Sequence, residues 1–165
     1  MADHSAQLTA LWSLLAVATA ADVAQRRVPN LVVAPLAMIG LAVQWLTAGP
    51  AVALGGALTG AGVLALLLLP WATGKMGGGD IKLIAATAIW IGPSRVVAFL
   101  ILTAVAGAPV ALATRLAHRF EVQRTVRRAA EGGLAMEEFT VAPETVPYAA
   151  AVALGAFAAM QWGLP

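Results

Sequence analysis

Apolar runs and short polar breaks alternate along the whole chain. The runs are Leu8 to Ala24, Leu31 to Leu46, Ala51 to Trp71, Ile81 to Ile91, Val96 to Thr114 and Val146 to Trp162. About 20 apolar residues in a helix rising ~1.5 Å each cross the hydrocarbon core of a bilayer. The pattern therefore predicts an all-α, polytopic membrane protein: one domain over 1–165 with six transmembrane helices. The fourth run is short for a span. It reaches back to Gly78, ends at Gly92-Pro93, and suits a helix whose start is buried in protein or faces a wet cavity. In the third run, Gly56 and Gly60 stand in G-x-x-x-G spacing, which lets helices approach closely in lipid. Gly107 and Pro109 in the fifth predict a bend.

The breaks set the orientation. Arg26 and Arg27 follow the first run, Lys75 the third, and Arg115, Arg119, Arg124, Arg127 and Arg128 the fifth. The alternate breaks carry only Arg95. Basic residues favour the cytoplasmic side, so both termini are expected on the non-cytoplasmic side. Ala18-Thr19-Ala20 has the form of a signal-peptide cleavage site, but the basic residues come after the run rather than before it, which predicts a retained helix. The stretch from 115 to about 145 is one long polar loop on the cytoplasmic side. Its first half is basic, with Leu116, Phe120 and Val126 as an apolar edge suited to an anionic lipid surface. Its second half is acidic, with Glu137, Glu138 and Glu144. A simply solvated loop is the plainer reading.

Composition narrows the chemistry. The chain is 61% hydrophobic and 11% charged, against about 25% charged in a soluble domain. The net charge of +2 gives no footprint for nucleic acid. There is no cysteine, which excludes disulfides, thiol nucleophiles and cysteine–zinc sites. His4 and His118 lie away from other metal-ligand patterns, and no H-E-x-x-H or G-x-S-x-G occurs. No metal and no cofactor is expected.

What remains is a pair of acids. Asp80 lies in Gly74-Lys75-Met76-Gly77-Gly78-Gly79-Asp80-Ile81-Lys82-Leu83, between two apolar runs, and Asp22 lies near the end of the first run. Carboxylates there are costly without a partner or a task. Each has an ordinary explanation. Asp22 can pair with Arg26 one turn on; Asp80 can pair with Lys82 or cap its own helix. The predicted topology nevertheless brings both acids to the same inner face. Two such carboxylates sharing one proton can split a peptide bond: one takes a proton from water, the other donates to the scissile carbonyl. The glycines leave room for an extended backbone beside them.

These residues resemble a known family. Gly77-Gly78-Gly79-Asp80-Ile81-Lys82-Leu83 fits the G-x-G-D-x-K-L signature of the type IV prepilin peptidases. Asp22 ahead of Arg26-Arg27-Val28-Pro29-Asn30 resembles the family's first aspartate before R-x-I-P-N, and Val146-Pro147-Tyr148-Ala149 resembles the P-Y-G start of its last helix, with alanine in place of glycine. The resemblance implies a bacterial inner-membrane aspartyl endopeptidase of G-x-G-D type. Such an enzyme removes the basic leader from prepilins or pseudopilins, whose mature ends are apolar helices, at the cytoplasmic face. Asp22 and Asp80 would be the catalytic pair; Gly77 and Gly79 would shape the site; Lys82, Pro29 and Asn30 would support it. The chain lacks the cysteine-bearing cytoplasmic segment of the longer, N-methylating members, so it resembles the short tight-adherence (Flp) type, with methyltransferase activity not expected. Glu137, Glu138 or Glu144 would hold the basic leader.

Two other readings use the same residues. A presenilin-like or signal-peptide-peptidase-like protease shares G-x-G-D, but places its first aspartate in a Y-D setting within a longer chain; here the pair is Ala21-Asp22. A small transporter with Asp22, Asp80 and Lys82 as an ion relay would be expected to repeat the glycine stretch in a second half, and no repeat occurs.

Overall fold

The computed structural model describes residues 2–25, 28–130 and 148–161. Among these, the chain is helical throughout: α1 (Ala2–Gln25), α2 (Asn30–Ala48), α3 (Pro50–Ala72), α4 (Gly78–Ile91), α5 (Val96–Ala130) and α6 (Ala149–Gln161). Proline and glycine mark the boundaries. Pro29 precedes α2, and its carbonyl accepts the Val32 and Val33 N–H groups. Pro50 opens α3 at a helical position where its missing N–H costs nothing. Gly49 and Gly92, at φ 89° and 73°, close α2 and α4 in a backbone conformation that side chains disfavour.

Four helices are long and apolar enough to cross a membrane: Gln7–Ala24, Asn30–Ala48, Pro50–Ala72 and Val96–Thr114. The expectation of six full spans is thus met by four of that length. The remaining two, α4 with 14 residues and α6 with 13, are shorter. At 1.5 Å per residue α4 is ~21 Å long, short of the ~30 Å hydrocarbon core. Its burial explains why it can be short. Ile81, Leu83 through Ile89, and Ile91 are all buried, because α2, α3, α5 and α6 all pack against it. The outside of the bundle is apolar, with Leu31, Met38, Leu46 and Val97 strongly exposed, as a lipid surface requires.

Small residues let the helices approach α4. A Cβ on Gly60 would come within 2.9 Å of the Ala85 carbonyl oxygen, and one on Gly56 within 2.9 Å of the Ile89 oxygen. Gly55 and Gly62, in the same helix, meet nothing. Gly40 leaves room for the Trp90 ring, whose indole N–H donates to the Leu36 carbonyl at 2.8 Å. The Gln44 amide donates to the Ile89 carbonyl, one of the last carbonyls of α4, which the helix itself leaves without a donor. Hydroxyls elsewhere turn inward on their own helices: Thr19, Thr59, Thr87 and Thr114 each donate to the carbonyl four residues back. That satisfies them without water.

The helix α5 runs unbroken through Gly107 and Pro109. The basic first half of the stretch expected as a polar loop over about 115–145 is helical and continues α5 as far as Ala130. Arg26, Arg27, Glu137, Glu138, Glu144 and Val146-Pro147 lie outside the described residues.

Candidate active site

Asp22 stands on α1 and Asp80 on α4. Asp22 sits in the last turn of α1 and is buried, 4% exposed. An acid near a helix C-terminus is poorly placed with respect to its own helix, whose free carbonyls repel it. It is held instead by another helix: the Ala149 N–H donates to Asp22 Oδ2 at 2.9 Å. Ala149 is the first residue of α6, so its N–H is one of the donors that a helix N-terminus leaves free. The positive end of α6 therefore faces the carboxylate.

Asp80 is placed by the glycine stretch. Gly77 is extended (φ −70°, ψ 141°) and caps α4; Asp80 is the acid in the first turn. The Asp80 carboxylate folds back against Gly77, an acid at the third helical position facing the helix start, where the free N–H groups favour it. That placement agrees with the capping role considered from the sequence. It also fixes the side chain. The two aspartates are close enough for their charges to act on each other. The Tyr148 phenol, just before α6, lies in the field of Asp80.

The glycines around Asp80 differ in what they leave room for. A Cβ on Gly77 would lie 2.8 Å from Asp80 Oδ2 and near no backbone atom. The space it leaves is the space of the carboxylate. Gly79 backs onto Val28, whose carbonyl oxygen and backbone nitrogen would lie 3.4 and 3.5 Å from an added Cβ. That contact ties the chain after α1 to the start of α4. Tyr148 is seated by Gly107 of α5, where a Cβ would come within 2.7 Å of its hydroxyl.

Other residues singled out from the sequence lie elsewhere. Lys82 does not pair with Asp80: its ammonium donates to Asn30 Oδ1 at 3.3 Å, at the start of α2. Two residues on from Asp80, it is about 200° around the helix, on the side facing α2 and α3. Pro29 sets the start of α2 and Asn30 partners Lys82 rather than the carboxylates. Conversely, the hold that Ala149 exerts on Asp22 was not legible, because a backbone N–H has no side-chain signature. The clue available was positional, a proline-tyrosine pair opening the last helix. The group in use is the backbone amide, which alanine supplies as well as glycine would. Among the described residues no three His, Asp or Glu side chains gather in a way that could hold a metal.

Two carboxylates, each set against the start of a helix, can polarise a water molecule and protonate a leaving group between them. One family model, described as type IV leader peptidase family, matches residues 9–112, a stretch that includes both aspartates and the glycine stretch. No curated protein and no solved structure matches the chain.

Proposed function

The chain belongs to the type IV leader peptidase family, a family of peptidases, and from that premise we propose that it is an aspartyl endopeptidase cleaving the basic leader of Flp-type prepilins. Asp22 and Asp80 are the catalytic pair. One carboxylate, ionised, draws a proton from water as the water attacks the scissile carbonyl. The other, protonated, donates to the carbonyl oxygen, and the roles then reverse to release the amine. The observation that supports this reading most directly is the mutual placement of the two acids, drawn from α1 and α4 to a common site by the N-termini of α6 and α4.

The wider setting follows the same proposal. All six helices lie in the inner membrane, α4 and α6 as short inner members of the bundle, with both termini on the non-cytoplasmic side. The dyad then opens to the cytoplasm, where a basic leader is presented. Gly77 leaves the space that the Asp80 carboxylate occupies and Gly79 seats the start of α4 on Val28, so both shape the site around Asp80. N-methylation of the product is not part of the proposed activity.

Co-expression with a Flp-type prepilin, with the mass of the pilin as readout, tests the reading. The wild-type chain should yield pilin shortened by its leader and without an added methyl group. Asp22→Asn and Asp80→Asn should each lower cleavage by more than about a hundredfold, the scale on which acid–base groups act. Both variants should remain in the membrane fraction with unchanged helicity. Cleavage at the wild-type rate in either variant would overturn the dyad.

A further inference from the structure

On the side of α4 turned away from the aspartates lies an open groove of about 400 Å³ between α2, α3 and α4. Ala37, Ala61, Leu64 and Ile89 are among its apolar lining; Asn30 and Lys82 are its polar residues. Asn30 opens α2 and Lys82 stands in the first turns of α4, so both lie at the same end. The floor is low because Gly60, whose Cβ would collide with Ile89, brings α3 against α4. From Lys82 to Ile89 the groove runs seven residues, ~10 Å along the helix axis, about a third of the ~30 Å hydrocarbon core.

We propose that this groove binds one anionic phospholipid, with an acyl chain along the alanine-lined floor and the phosphate at Lys82. The charge favours it. Lys82 carries a full positive charge at the mouth of an apolar trough, and its hydrogen-bond partner there, Asn30, is neutral. An anionic headgroup supplies the missing negative charge, and the Asn30 amide nitrogen is left to donate to the same phosphate. The size agrees. A partner's transmembrane helix would run the full thickness of the bilayer, whereas this trough ends after a third of it, the reach of part of an acyl chain. Anionic lipids held in basic pockets between membrane helices at the cytoplasmic side are a recurrent arrangement. The consequence is mechanical. A lipid seated here braces α2 and α3 against the back of the helix that carries Asp80.

The full-length protein, purified with an equimolar mixture of phosphatidylglycerol and phosphatidylcholine and examined by native mass spectrometry, tests this without reference to proteolysis. Wild type should retain phosphatidylglycerol in preference to phosphatidylcholine. Lys82→Gln, an exposed change, should reduce that preference roughly fivefold, the effect of one cation near an anionic surface. Ala61→Phe, which fills the groove from an exposed position, should abolish retention of both lipids. No preference in wild type, an unchanged preference in Lys82→Gln, or full retention in Ala61→Phe would each overturn the proposal. Ala61→Phe that blocks photocrosslinking to a prepilin helix while retaining lipid would assign the groove to the substrate instead.

Discussion

The two ends of α4 both use glycine and buried polar groups, to different ends. At the far end, Gly56 and Gly60 face carbonyl oxygens of α4 at distances that leave no space for a methyl group. Trp90 and Gln44 there satisfy backbone carbonyls. Every group is spent on holding helices together. At the near end, an added Cβ on Gly77 would meet only the tip of the Asp80 side chain, and the two helix N-termini hold carboxylates rather than each other. The same residue type packs a fold at one end and makes room for a carboxylate at the other. What separates Gly56 and Gly60 from Gly77 is that they also face backbone oxygens, which cannot yield.

That contrast can be broken by substitution. The largest effect is expected from Gly77→Ala, which should lower prepilin cleavage by about ten- to a hundredfold, since a displaced catalytic group of ~1 Å costs on that order. Thermal stability in detergent should stay at the wild-type value; a matching loss of stability would erase the distinction between the two ends. Ala149→Pro comes next. Proline is tolerated at the first helical position but has no N–H, so it removes the donor to Asp22 alone. Hydrogen bonds to charged groups are worth roughly 1.5–3 kcal/mol, so cleavage should fall by at least about tenfold with α6 intact by circular dichroism. Unchanged cleavage would mean that the α6 amide does not position the carboxylate.

At the packing end the readout is stability. Gly60→Ala should destabilise by about 1–3 kcal/mol, the usual cost of overpacking a filled contact, as followed by unfolding in denaturing detergent. Trp90→Phe loses the pyrrole half of the indole, which packs on Gly40, together with its hydrogen bond to Leu36, and should cost about 1–2 kcal/mol. The smallest effect is expected for Gly79→Ala. Its new methyl would sit in ordinary contact with Val28, so stability should stay within about 0.5 kcal/mol of wild type.

Much of this protein was legible in the chain because the bilayer acts as a simple, uniform solvent. It demands long apolar helices, so run length alone located α1, α2, α3 and the membrane part of α5. It penalises unpaired charge, so Asp22 and Asp80 stood out against their surroundings. The glycine stretch marked the start of α4 for local reasons too: Gly74 takes a positive φ, and Gly77 leaves the space that the Asp80 carboxylate fills.

The tertiary structure decided what depends on neighbours. Lys82 is two residues from Asp80 and shares its motif, yet helical phase turns it toward Asn30 and the groove. Asp22 is partnered by a backbone amide far along the chain, an interaction that no residue type announces. The brevity of α4 became understandable only once the helices packed around it were in view, because a buried helix has no need to match the thickness of the lipid. Apolarity and charge are properties each residue carries by itself, and the chain displays them in order. Direction, contact and hydrogen-bond partner belong to pairs of residues, and exist only after the helices have packed.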